Sequence, residues 1–203
     1  MKSLAIFVFP GIQTLDLFGP IEMLGGFIDK IKITLVAESL DPIPTRHGQR
    51  ILPDRTIWDG VGYDLLLVPG GDSALDAGQK VAVKNWLRQT SENAEMVMTV
   101  CTGSILLAMT GVLDGKKATT NKIDFNATIG LGPNVEWVAK ARWVKDGKFF
   151  TSSGVSAGMD MSLAAAAEMF GIEAAREMAD GTEYEWHQDP DWDPFAVKEG
   201  LVD

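Results

Sequence analysis

Cysteine is almost missing from this chain: Cys101 is the only one in 203 residues. A lone thiol forms no intrachain disulfide, which rules out a disulfide-stapled scaffold and fits a reducing compartment, the cytoplasm. Histidine is nearly as scarce, with only His47 and His187. No CxxC, HExxH or paired-histidine spacing occurs, so the sequence makes no case for a bound metal. Dinucleotide and P-loop glycine fingerprints are also missing, and no cofactor is expected. Cationic residues are the minority, 18 against 28 acidic ones, for a formal net charge of -10. That balance favours solubility and opposes binding to phosphate backbones or anionic membrane surfaces, so neither nucleic acid nor membrane is an expected partner. The one apolar run at the amino terminus, MKSLAIFVFPG, is too short to span a bilayer and has no small-residue cleavage site; it reads as a first strand. With no internal repeat, low-complexity tract or linker, residues 1–203 read as a single domain.

What the sequence does contain is an alternation. The runs LAIFVF, IKITLVA, DLLLVPGG and AEMVMTV are short, rich in branched residues and bounded by Gly, Pro or charge, as buried strands are. Between them, Asp16 to Ile28, Ala77 to Thr90 and Gly103 to Met109 have helical character. This order predicts an α/β sandwich with a mostly parallel central sheet. Pro42 to Trp58 and the segment WVKDGKFF are read as short antiparallel additions, the second turning at Asp146-Gly147 in a type I′ turn. GMDMSLAAAAEMF (Gly158 to Phe170) predicts a helix ended by Gly171, with Glu173 to Met178 helical again. Periodicity is lost from Asp180 to Phe195, where acids, prolines and aromatics suggest a tail packed over the domain or over a partner subunit.

Cys101 stands in MVMTVCTGSILLAMTG, where the apolar run stops and helical character starts. Free cysteines are among the most buried residue types, and an inert core thiol is one reading. Position argues for another. A strand, a turn residue and a helix in direct succession resemble the nucleophile elbow of α/β hydrolases, which aims its side chain over the carboxyl edge of the sheet, where open α/β folds gather ligands. A helix opening at Thr102 would set its positive end and free amides beside the sulfur and favour the thiolate. The loop VPGGDS (Val68 to Ser73) ends the preceding strand. Gly71 N–H and Thr102 N–H would form a two-donor cradle for an anion or a water, although a glycine pair also serves simply to turn a chain. Neither histidine falls in a segment placed at that edge, so a Cys–His dyad has no support and an acid becomes the source of proton transfer. Asp16, in PGIQTLDLFGPIEML, is either a helix N-cap or an acid near the sulfur, whose like charge would push it toward its protonated form. Glu22, farther along the same helix, is a second candidate or an ordinary surface residue.

In order, FPGIQTLDLFGPIEML, LLLVPGG, VCTGSILLAMTGVLDGKKATTNK, FFTSSGVSAGMDMSLAAAAEMFG and the EYEW to DPF tail resemble the ThiJ/PfpI superfamily across nearly the whole chain. The resemblance implies a three-layer flavodoxin-like sandwich of the class-I glutamine amidotransferase kind, a homodimer, and a cysteine at the elbow. LDLFGP, CTGS and SSGVSAGMD look most like the isonitrile hydratase branch, which implies Cys101 as nucleophile, Asp16 as its acidic partner and Thr102 beside them. One departure is Asn121 in ATTNK, where many relatives carry a histidine; a histidine-assisted protease, glyoxalase or amidase mechanism loses its base there. The expected activity is that of a hydro-lyase acting on a small electrophile: an isonitrile becomes an N-substituted formamide through a Cys101 thioimidate, with Asp16 as acid and base. Two readings stand beside it. One is a redox-sensing or stress-response protein acting through Cys101 oxidation; the other is a glyoxalase- or amidase-type hydrolase of the same superfamily. The ligand-binding part of an AraC-type regulator would need an added DNA-binding helical module, for which no length follows residue 171.

Overall fold

The computed structural model describes residues 1–203. In chain order its elements are β1 (Lys2–Phe7), α1 (Thr14–Gly25), β2 (Ile31–Ala37), β3 (Ile43–Pro44), β4 (Arg50–Ile51), β5 (Arg55–Thr56), β6 (Leu65–Val68), α2 (Ala74–Gln79), α3 (Val81–Asn93), β7 (Met96–Val100), α4 (Gly103–Ala108), β8 (Lys117–Ala118), α5 (Phe125–Ile129), β9 (Glu136–Trp137), β10 (Trp143–Asp146), β11 (Phe149–Ser152), α6 (Ala157–Phe170), α7 (Ile172–Gly181) and α8 (Pro194–Lys198). Seven strands form one sheet in the order β10-β11-β7-β6-β1-β2-β5. Within it β2, β1, β6, β7 and β11 run parallel, which is the doubly wound order of flavodoxin-like folds. Helices α1, α6 and α7 pack together on one face, and α2, α3 and α4 on the other. The three-layer sandwich expected from the sequence is therefore the architecture found. Every residue of β6 (LLLV) and β7 (MVMTV) is buried, as central parallel strands covered on both faces must be. No helix is long and apolar enough to cross a membrane.

Local departures have local causes. The stretch expected as one helix from Ala77 divides into α2 and α3 at Lys80, whose backbone is extended (φ -70°, ψ 122°). In the segment Pro42 to Trp58, β3 and β4 do pair antiparallel, but β5 joins β2 in parallel and becomes a sheet edge. In the β10–β11 hairpin Asp146 pairs with Phe149, so the central residues are Gly147 and Lys148. Of these only Gly147 has a positive φ (58°). That is the II′ pattern, with glycine first, and not the I′ turn expected at Asp146-Gly147. Asp146 is kept in the strand, where its carboxylate accepts the Lys117 N–H at 2.9 Å.

The tail folds back on its own chain around Asp160, a fully buried carboxylate of α6. Arg142 Nε donates to it at 2.6 Å, the Tyr184 hydroxyl at 2.9 Å and the His187 N–H at 3.0 Å. Burial, and then the Asp160 charge, push the Tyr184 phenol up to about 12, so it remains a donor. His187 stacks on Trp192 at 4.2 Å. Asp193 accepts the Phe195 N–H at 3.0 Å, capping α8, and pairs with Lys122 at 3.2 Å, both side chains being almost wholly buried.

β1 and β6 are the adjacent strands whose connections leave in opposite directions, and the crevice outside their carboxyl ends is the binding place in this class of sheet. The loops there are tied together: Ile12 bridges both Thr45 and Gly71, and Gln13 N–H donates to Gly70 O at 2.9 Å. α4 starts hard against β6. A Cβ on Gly103 would lie 2.0 Å from Val68 O and 2.8 Å from Pro69 O, both backbone atoms. Gly103→Ala must therefore push the elbow away from the strand, and a loss of about 3 kcal/mol is expected. A urea midpoint lowered at unchanged m-value would show it; an unmoved midpoint would mean that the elbow has room to shift.

Candidate active site

Cys101 carries φ 57°, the left-handed region that a side chain rarely occupies. Its neighbours hold it there. Cys101 N–H donates to Ser152 O at 3.2 Å, while Cys101 O accepts the hydroxyls of Thr120 at 3.0 Å and Ser104 at 3.1 Å. Backbone strain of this kind costs about 1–3 kcal/mol and persists only where surroundings over-determine it. The elbow geometry expected from sequence is present. The side chain is 5% exposed and still lines a cavity of about 310 Å³, shared with Gly71, Thr102, Ile105, Asn121, Asp124, Leu131 and Val155. Arg46 and Asp72 also line it and pair with each other at 3.3 Å.

Asp16 is the third residue of α1 and not its N-cap, a position held by Gln13. It is fully buried, and its Oδ2 accepts the Gly70 N–H at 3.0 Å. Oδ1 has no hydrogen-bond partner, and the Cys101 thiol is near enough to act on the carboxyl. Glycine at position 70 makes the approach possible, because a Cβ there would lie 2.9 Å from Asp16 Oδ2 and 2.6 Å from Thr102 Oγ1. Burial raises the Asp16 carboxyl to about 7, with the Gly70 N–H and the thiol pulling it back. The main cause is thus desolvation, not the like charge expected from sequence.

The sulfur departs from expectation in the opposite sense. Burial pushes the Cys101 thiol far above its ordinary range, the Asp16 charge adds to this, and the donors on Asn121 and Thr102 oppose it without prevailing. A helix end was expected to ionise the sulfur. α4 has only six residues, and its single N–H at the sulfur is outweighed by desolvation. The resting proton therefore sits on sulfur, and Asp16 is the group that titrates near neutrality.

The expected cradle of Gly71 and Thr102 amides is not open either. Gly71 N–H donates to Thr102 Oγ1 at 3.0 Å, and Thr102 N–H is directed to the sulfur. The reason is the threonine hydroxyl, which reaches the neighbouring loop before any ligand does. Glu22 is exposed and does not line the cavity. His187 lies in the tail, while His47 is brought by the β3–β4 hairpin to the start of α1, where its Nδ1 meets Thr14 Oγ1 at 2.8 Å. Sequence reasoning did not place His47 there, because the long loop contact is set by the Ile12–Thr45 bridge.

Asn121 was noted in the sequence only as a substitution for histidine. In the structure its Nδ2 donates to Cys101 Sγ at 3.1 Å and its side chain also meets Asp124 Oδ2 at 3.3 Å. Asp124 does not stand out in the sequence. The usable signal for Asn121 was its place in ATTNK, the one departure from the resemblance; Asp124, three residues on, carries no signal of its own.

The DJ-1/PfpI family model matches residues 2–168. Isonitrile hydratase of Pseudomonas putida is 34% identical over 176 residues, covering 86% of this chain and 75% of that protein. Protein dj-1beta of Drosophila melanogaster is 26% identical over 184 residues, covering 89% of this chain and 96% of that one. Among solved structures, a ThiJ/PfpI family protein from Pseudomonas syringae aligns with a TM-score of 0.85 at 30% identity, covering 99% of this chain and 84% of that chain. The matched span includes the α1 carboxyl, the glycine loop, the elbow and the Asn121 turn together, and the chain belongs to the DJ-1/PfpI family.

Proposed function

We propose that the protein is a cysteine enzyme of the isonitrile hydratase type, adding water to an isonitrile to give an N-substituted formamide. The observation that supports this reading is a thiol at a strained elbow, open to a cavity, with a buried carboxyl beside it that titrates at about 7. Asp16 takes the thiol proton as sulfur bonds to the terminal carbon of the isonitrile, and returns that proton to the same carbon, giving the thioimidate R–N=CH–S. Asp16 then removes a proton from water as the water oxygen adds to that carbon, and passes that proton to the nitrogen. The C–S bond breaks, sulfur regains the hydroxyl's proton, and R–NH–CHO leaves. The balance is one isonitrile plus one water, with nothing oxidised or reduced.

Thr102, whose Oγ1 accepts the Gly71 N–H at 3.0 Å, lines the cavity and is the wall residue that positions the water. Ile105, Leu131 and Val155 line the same cavity and receive the nitrogen substituent, which makes compact apolar isonitriles the favoured substrates. A redox sensor asks for an open sulfur of low pKa; here the side chain is 5% exposed and burial raises its pKa. A glyoxalase- or amidase-type reaction asks for a base where Asn121 supplies an amide. The same reading takes residues 1–203 as one domain, forming a homodimer in the cytoplasm and needing no cofactor.

The test is to incubate the purified protein with small isonitriles and, separately, 2-oxoaldehydes, and to follow products by NMR. Formamide accumulating from the isonitrile is expected. Hydroxyacid from the aldehyde with the isonitrile untouched would reassign the enzyme, and no product from either, with Cys101 oxidised by dilute peroxide, would favour the sensor.

A further inference from the structure

We infer that Asn121 is a catalytic residue: a neutral, oriented donor that holds charge on Cys101 Sγ without exchanging a proton, leaving Asp16 as the only proton carrier at the sulfur. This rests on Cys101 being the reacting atom, as above, but not on which substrate it attacks.

The amide cannot be turned around. Its Oδ1 accepts the Ile123 N–H at 2.8 Å and the Asp124 N–H at 3.4 Å, contacts that only the oxygen end can make, so the amino end must face the sulfur 3.1 Å away. Asp124 Oδ2 receives the same amino group at 3.3 Å, which polarises the donor toward both acceptors. On the open side Gly154 closes in: a Cβ there would come within 3.3 Å of Asn121 Cγ. The turn is anchored below, because the next residue, Lys122, is buried and donates to Thr119 Oγ1 at 2.6 Å while pairing with Asp193 at 3.2 Å. A side chain serving only to fill space would need none of this.

The chemistry follows from what a carboxamide can and cannot do. A thiolate buried this deeply is stable only where hydrogen bonds replace its water, and two donors reach it: the Thr102 N–H of the elbow and Asn121 Nδ2. A histidine at this position would also donate, but it would add a positive charge and a second titration. The charged groups facing the sulfur are Asp16 from α1 and Asp124 beyond Asn121, with Arg46 and Asp72 paired at 3.3 Å across the cavity. His47 is engaged with Thr14 and does not line the cavity.

Alkylation of Cys101 by iodoacetamide, followed against pH from 6 to 10 or so, reads the sulfur directly. Asn121→Asp keeps the oxygen that holds the turn and removes the donor, replacing it with a negative acceptor. Its alkylation should be slower by about tenfold or more, with the rise displaced to higher pH. Asn121→Ala should slow less, and Asn121→His should add a second inflection. Thermal melts confirm that each variant is folded. A purely structural role predicts the opposite sign: Ala would loosen the turn, open the sulfur and speed alkylation, while Asp would behave as the parent. Either of those results would overturn the inference. Slowed alkylation in Asn121→Asp, in a protein that proves inert to isonitriles, would support the inference while rejecting the proposed reaction.

Discussion

Cys101→Ala is expected to abolish isonitrile turnover, lowering kcat by at least about 10⁴-fold, because a nucleophile that forms a covalent intermediate leaves no alternative route of comparable barrier when it is removed. The fold should survive. The side chain is small and Ala, like Cys, must accept φ 57°, so backbone strain is unchanged and only one sulfur is lost from the buried cluster. NMR detection of formamide with both proteins at equal concentration checks the expectation, and full turnover by the variant would remove Cys101 from the mechanism.

Asp16→Asn should do two opposite things. Without a group to carry protons between sulfur, carbon and water, kcat is expected to fall by about 10²–10⁴-fold. Stability should rise. In the unfolded chain Asp16 ionises near 3.8, and in the fold near 7, so the folded state binds the proton more tightly. Its contribution to stability is fully present below about 3.8 and is lost as pH rises through 7. Above that the fold carries a buried charge, at a cost on the order of 4 kcal/mol. Asn has the same shape, still accepts the Gly70 N–H and never ionises. At pH 8 or so its Tm is expected to exceed the parent's by about 8–16 °C, with the gap closing toward pH 4. A variant no more stable at pH 8 than its parent would contradict the buried, reluctant carboxylate. The parent's kcat/KM should rise with pH through about 7, as the pair goes from two shared protons to one, and the variant's should be flat.

How far the sequence could be read depended on the range of the interaction concerned. The central strands were legible because β6 and β7 are buried from end to end and show it as unbroken apolar runs. The elbow was legible because strand, Cys101, Thr102 and Gly103 are neighbours in the chain. β5 was not, since two residues that pair in parallel with β2 carry no periodicity of their own. The ionisation of Cys101 is not legible: a helix start can be read from sequence, but the depth of burial that outweighs it cannot. The Gly71–Thr102 and Asn121–Cys101 contacts join segments far apart in the chain, and they exist only once the β8 turn and the glycine loop have been folded onto the same crevice.

Lys122 and Asp193 bear on how far along the chain this folding unit reaches. The family region ends at residue 168, yet the counter-charge for a cation lodged one position from Asn121 is supplied by residue 193. Deprived of that carboxylate, the ammonium would stay buried with the Thr119 hydroxyl and no counter-charge, a state that costs several kcal/mol. The cooperative unit therefore extends at least as far as α8. A chain clipped between α7 and α8 would give way first beneath the sulfur's amide partner, so integrity of the terminus and competence of the reaction centre are one property.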